Sequence, residues 1–193
     1  MAKDFILTLY SRPETVFTMR ELSLLFPHIS YDNIKSKTHY FVSKKKLFRV
    51  RNGIYTKESY NPLELSRLYI PSYISLETVF QTEGMIFQHD TSIHMISYLS
   101  RSICIDAHKL IYRKMNERIL LNNTGIEERA GYAIATKERA FLDALFLFKD
   151  YHFDNLNALD WALVETLAPI YHSAILIKRA HTYYKQFQTE SHA

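Results

Sequence analysis

Three features of this 193-residue chain predict an α+β fold. Two short capped helices, separated by little more than PHIS at 27–30, are followed at once by an Asn-Gly hairpin at 52–53. Further on, segments that alternate apolar and polar residues are interleaved with helical patterns, as in a small sheet flanked by helices. The charge is also unevenly divided. Lys and Arg outnumber Asp and Glu eleven to five in residues 1–60, but stand at thirteen against fifteen in residues 61–193. A basic first third joined to a near-neutral remainder predicts an anionic partner for the first part.

The elements follow in order. Residues 3–11, KDFILTLYS, put Phe5, Ile6 and Leu9 on one helical face, and Pro13 ends that helix. Thr18 and Glu21 have the spacing of a capping box, with Phe17 and Leu22 placed to close a hydrophobic staple. This second helix ends near Phe26, before Pro27. Ser30 opens the third, YDNIKSKTHYFVSKK, flanked by Ile29 and Ile34 at staple positions. Ile34, Phe41 and Val42 turn to one side, which leaves Asn33, Lys35, Lys37 and Tyr40 mostly on the other. Leu47, Phe48 and Val50 before Asn52-Gly53, and Ile54 and Tyr55 after it, are strand formers. Both turn residues tolerate positive φ. Three helices and then a hairpin is the order of a winged helix-turn-helix, and residues 1–58 are the right size for one.

From residue 61 a mixed α/β unit is expected, running to 193. NPLELSRLYIPSYISLETVFQTEG reads as two helices. The first has Pro62 at its start; the second begins near Ser72 or Ser75 and stops at Gly84. SIHMISYL, HKLIYRKM, RILLNN and GYAIAT read as strands of an antiparallel or mixed sheet. Glu127, Glu128 and Arg129 read as a solvated loop. Thr136 caps KERAFLDALFLF, DNLNALDWALVETLA is another helix, and a last helix follows Pro169 with a face of Ile170, Ala174, Ile177 and Tyr184.

Chemistry concentrates in the first part. Seven Lys and Arg and no acid lie between Lys35 and Arg51. Cations displace the counterions condensed on a duplex, and a helix fits the major groove, so this stretch predicts double-stranded DNA binding. Asn33, Lys35, Ser36 and His39 are the base-reading candidates, with Lys37 beside them. Lys44, Lys45 and Lys46, late in the same helix, suit the phosphate backbone. Arg49, Arg51 and Asn52 suit a wing that lies along the backbone or enters the minor groove. A solvated, lysine-rich helix end is the bland alternative.

Enzymatic readings are weaker. The sequence holds no GxxxxGK[ST], GxGxxG or GxSxG. His89, Asp90 and His94 in FQHDTSIH lack metal-ligand spacing, and no cofactor, metal or catalytic residue is expected. Asp143 inside RAFLDALF is accounted for by an ion pair with Arg139 four residues earlier. Cys104 stands alone, so a cysteine-built zinc site and an internal disulfide are both excluded. The first residues lack a basic-then-apolar leader, and the run AFLDALFLF is too short to span a bilayer. The cytoplasm is the expected compartment, without membrane attachment.

Three motifs in order, LFRVRNGIYT, PSYISLETVFQTEG and GYAIATKERAFLDALF, resemble the AbiEi family of type IV toxin–antitoxin antitoxins along nearly the whole chain. The resemblance implies a winged helix-turn-helix that binds promoter inverted repeats and represses its own operon, with roles in DNA contact for Lys35, Lys37, Arg49 and Arg51. It also implies a C-terminal antitoxin domain, here 61–193, that opposes a nucleotidyltransferase-like toxin without forming a stable complex. The family supplies no catalytic residues. In the C-terminal motifs Tyr73, Ser75, Glu77, Arg139 and Asp143 are as well explained by packing as by function. The alternative is a transcriptional regulator whose C-terminal part senses a ligand or protein, with no toxin partner.

Overall fold

The computed structural model describes residues 2–191 and is a mixed α+β structure with two sheets. The chain opens with α1 (Ala2–Ser11), the short strand β1 (Val16–Thr18), α2 (Met19–Leu25), α3 (Tyr31–Ser43), β2 (Phe48–Arg51) and β3 (Ile54–Thr56). The three strands pair antiparallel in the order β1-β3-β2. The Thr18/Glu21 capping box forms: the Thr18 hydroxyl accepts from the Glu21 amide, and the Glu21 carboxylate accepts from the Thr18 amide. Ser30 is the N-cap of α3, but its hydroxyl takes no capping bond.

Apolar spacing sets the packing of these elements. Phe5 and Leu9 of α1, Leu22 of α2, and Ile34 and Phe41 of α3 converge with Phe17, Leu47 and Tyr55 into one buried cluster. Phe5 stacks on Phe26 and Phe41, with ring centroids 4.4 and 5.9 Å away. Val16 and Ile54 belong instead to the larger core of the following residues, so the two parts share a packed boundary.

That larger part is built on a mixed six-stranded sheet in the order β6-β7-β5-β4-β9-β8. Its strands are β4 (Ser72–Ile74), β5 (Ile93–Ser97), β6 (Arg101–Ile105), β7 (His108–Lys114), β8 (Ile126–Arg129) and β9 (Tyr132–Ala135). The helices are α4 (Glu77–Thr82), α5 (Glu117–Leu120), α6 (Lys137–Leu147), α7 (Trp161–Leu167) and α8 (Ala174–Ser191), with 3₁₀ turns at Pro62–Leu68 and Ala168–Tyr171. Among the described residues no helix is long and apolar enough to cross a membrane.

Several boundaries differ from the expectation. Ser72–Ile74 is a central strand, not a helix start, and Pro62–Leu68 is 3₁₀. RILL is helical, because Asn116 caps the Arg118 amide before a strand can begin. Glu127, Glu128 and Arg129 form the outward edge strand β8 rather than a loop. The helix expected over DNLNALDWALVETLA starts only at Trp161, where the Asp160 side chain takes the Ala162 and Leu163 amides. In α8 the residues turned inward are Leu176 and Ala180, and Ile177 is 36 % exposed, so the inward face is rotated from the expected one. Gly84 does end α4 in the left-handed region, at φ 65°, and Thr136 caps α6.

Candidate nucleic-acid interface

The expected DNA-contacting residues lie in one stretch of chain and face solvent. Asn33, Lys35, Ser36 and His39 of α3 are exposed, and Lys37 is half-buried. Ile34, Thr38 and Phe41 hold the opposite face of α3 against the core, which forces the polar residues outward. Tyr40 is 51 % exposed, with the Lys44 ammonium 5.8 Å from its ring centroid. Lys35, Lys44, Lys45, Lys46, Arg49 and Arg51 have no carboxylate partner among the described residues. These six cations are therefore not neutralised internally, whereas Lys37 lies within electrostatic reach of Asp4.

Lys44, Lys45 and Lys46 are not in the helix, as the sequence suggested, but in the turn after it. Lys44 is the C-cap, and Lys45 takes φ 53°. The Lys46 amide reaches back to the Phe41 carbonyl at 2.9 Å and the Lys45 amide to Val42 at 3.0 Å. These two bonds make a Schellman turn whose left-handed position, usually glycine, holds a lysine. A left-handed L-residue costs about 1–2 kcal/mol. Lys45→Gly is therefore expected to stabilise the fold by about 1 kcal/mol, less glycine's own entropy cost. Chemical denaturation checks this; a variant less stable than wild type would show that the lysine side chain contributes more than its backbone costs.

The hairpin forms at the expected place with a different turn. Gly53 has φ 77°, but Asn52 is not in the left-handed region, and the register shifts between Arg49 and Arg51. Phe48 and Val50 are half-buried while Arg49, Arg51 and Asn52 are exposed, so the alternation survives the bulge. The Met19 amide donates to the Gly53 carbonyl at 3.0 Å, tying the hairpin tip to the start of α2. Lys57, also basic, points inward: its ammonium donates to the Arg12 carbonyl at 2.7 Å.

Two polar clusters lie in the second part. Arg139 and Asp143 of α6 are both fully buried, with Nε 3.5 Å from Oδ1, so the ion pair expected at this spacing forms. Around it Arg139 donates to the carbonyls of Ile119, Asn122 and Thr124 and to the Tyr73 hydroxyl. Asp143 accepts from Tyr73, Tyr171 and Ser75. Burial pushes the Asp143 carboxyl up from the usual carboxylate range, against the pull of Arg139 and the three hydroxyls. Burial also raises the Tyr73 and Tyr171 phenols, so both stay protonated and able to donate.

His94 is 4 % exposed and lies between two carboxylates. Asp90 is 2.8 Å from Nε2 as a hydrogen bond, and Glu77 is 2.8 Å from Nδ1 as an ion-pair contact off the N–H axis. His89 is exposed and takes no part, so the three residues weighed as metal ligands do not converge. No group of three or more His, Cys, Asp or Glu among the described residues could hold a metal. Burial alone would lower the His94 pKa, but the two carboxylates outweigh it and raise it above the usual imidazole value. In turn, the Ser92 amide and the His94 ring hold Asp90 down to about 2.

A raised histidine pKa contributes stability that is present below the unfolded value, about 6.5, and lost as pH rises through the folded one. The stability gap between wild type and His94→Gln is therefore expected to be widest near pH 6 and to narrow toward alkaline pH. Melting temperatures of both proteins across pH check this; a gap that widens with pH would contradict the charged state of His94.

No known family model matches the chain, and no curated protein matches it.

Proposed function

We propose that this chain is a double-stranded-DNA-binding antitoxin and autorepressor. Residues 1–58 act as a winged helix-turn-helix, and residues 61–193 as the antitoxin domain. The observation that carries the DNA-binding half is the basic face on one packed unit: Lys35 of α3, the three lysines of the turn after it and the hairpin arginines, all exposed and without a carboxylate partner among the described residues. In this reading α3 enters the major groove and Asn33, Lys35, Ser36 and His39 meet base edges, with Lys37 at the margin. Lys44, Lys45, Lys46, Arg49, Arg51 and Asn52 hold phosphates on either side. Inverted repeats upstream of its own operon are the target, so two copies occupy one operator.

The antitoxin half rests on the ordered motifs and their resemblance to the type IV antitoxins. The opposed toxin is nucleotidyltransferase-like, and no lasting complex with it is required. Co-expression with an adjacent nucleotidyltransferase gene tests this half: growth should be rescued, and rescue should survive charge-removing substitutions on the basic face. Toxicity that persists with folded antitoxin present would overturn it.

The second reading is a transcriptional regulator whose C-terminal part senses a small ligand. A cavity of about 390 Å³ beside His94, lined in part by Glu77, Asp90, Gln88 and Tyr151, favours it. The gene next to this one separates the two readings, because a metabolic neighbour in place of a nucleotidyltransferase supports the regulator.

A further inference from the structure

We propose that Glu64 and Arg67 are positioning residues for DNA engagement: they complete the free edge of β1 and so fix the angle between the hairpin and the α2–α3 pair. This inference rests on the DNA-binding reading above.

In the order β1-β3-β2, one side of β1 has no strand beside it. The 3₁₀ turn Pro62–Leu68 lies there and supplies side chains where a strand would supply backbone. Glu64, only 3 % exposed, accepts the amides of Thr15 and Val16 at 2.8 and 3.0 Å through one oxygen. Its other oxygen accepts the Thr15 hydroxyl at 2.7 Å. Arg67 donates to the Val16 carbonyl at 3.0 Å. One residue pair thus serves both donors and acceptors along the edge of β1, as a neighbouring strand does.

The same guanidinium reaches further. Its other terminal nitrogen donates to Glu21 Oε1 at 2.8 Å. Glu21 Oε2 in turn accepts the Thr18 amide at 2.7 Å and closes the capping box of α2. Inside that box, one residue after the Thr18 N-cap, the Met19 amide holds the hairpin tip through the Gly53 carbonyl. A continuous path therefore runs from Arg67 through Glu21 to the point where β1 hands over to α2, and from there to the hairpin. On its far side Glu64 is backed by the β8–β9 turn. A Cβ on Gly131 would fall 2.7 Å from Glu64 Cδ, so glycine there leaves the carboxylate its place.

Simultaneous contact by α3 and the hairpin needs a fixed angle between them. Without the brace, α3 still binds but the hairpin arginines engage only part of the time. The number of phosphates neutralised at once then falls, which appears as a shallower dependence of affinity on salt.

The experiment titrates the full chain, Arg67→Gln and Glu64→Gln into a labelled duplex from the upstream region at several salt concentrations. Amide hydrogen exchange of Val16 and Met19 is followed in parallel. Each variant is expected to bind several-fold more weakly with a shallower salt slope, because fewer phosphates are neutralised at once, and to show faster exchange at both amides. A merely structural brace would lower the melting temperature and leave the affinity and slope of the folded protein unchanged; folded variants with wild-type affinity and slope overturn the inference. Arg67→Lys guards against a variant that fails to fold. It keeps a cation near Glu21 without the fork that serves Glu21 and Val16 together, and a smaller loss with the same sign is expected. A wild-type chain that does not bind the duplex overturns the DNA-binding reading itself, and does so before any substitution is compared.

Discussion

Arg139→Leu is expected to destabilise the protein by about 3–5 kcal/mol, the cost of removing one member of a buried ion pair. At this chain length that lowers the melting temperature by on the order of 10 °C. The substitution leaves the Asp143 carboxylate fully buried without its cation. It also leaves the carbonyls of Ile119, Asn122 and Thr124 without the donors that Arg139 supplies. Leucine fills part of the volume but satisfies none of these groups. Changing both members, Arg139→Leu with Asp143→Leu, should recover part of the loss, because no buried charge then remains unpaired. A double variant as unstable as the sum of the two single ones would show that the pair itself is not the source of the effect. Calorimetry on all four proteins decides it.

Replacing Arg49 and Arg51 together by Ala is expected to weaken DNA binding by about 1–3 kcal/mol and to make the salt slope shallower by about two phosphates. Both side chains are exposed and have no carboxylate partner among the described residues, so their loss removes charge without opening the core. The fold should be nearly unaffected, since Phe48 and Val50 do the packing on the other side of the strand. Weakening should be nearly uniform across DNA sequences, because phosphate contacts carry no base information. Asn33→Ala should instead act on the difference between operator and unrelated DNA. An unchanged salt slope in the double-arginine variant would remove the hairpin from the contact surface.

The fold was legible where a local signal decides the backbone. Thr18 with Glu21, Thr136 before α6, Gly84 after α4 and Asn52-Gly53 between β2 and β3 each act within a few residues, and each forms its element. What escaped depends on distant partners. β1 is only three residues long and is a strand because β3 pairs with it and Glu64 takes its edge. β4 lies between β5 and β9 and is only three residues long, Ser72–Ile74, too short for an alternation that would separate it from a helix.

The same distinction applies to the sites. The basic stretch could be read directly, because charge on a helix face is a property of adjacent residues. Its end could not: the lysine turn follows from a left-handed Lys45, a position where glycine would have been the signal. The Arg139–Asp143 pair was visible as an i,i+4 spacing, but Tyr73, Ser75 and Tyr171 reach it from 28 to 70 residues away. At Glu64 and Arg67 the sequence offered only a short helix opened by Pro62, with nothing to mark their roles, since their partners at 15–21 lie more than forty residues earlier.

In the proposed reading, the basic face formed by α3, the lysine turn and the hairpin binds duplex DNA. The measurement that tests it most directly is the affinity of the intact chain for its own upstream duplex as a function of salt. Seven Lys and Arg lie between Lys35 and Arg51. If most of them meet phosphates, log K against log salt should fall with a slope of about −4 to −6 per bound copy. Affinity for the upstream duplex should exceed that for unrelated DNA at every salt concentration. Absence of binding at low salt by folded protein, or a slope near zero, would contradict the account.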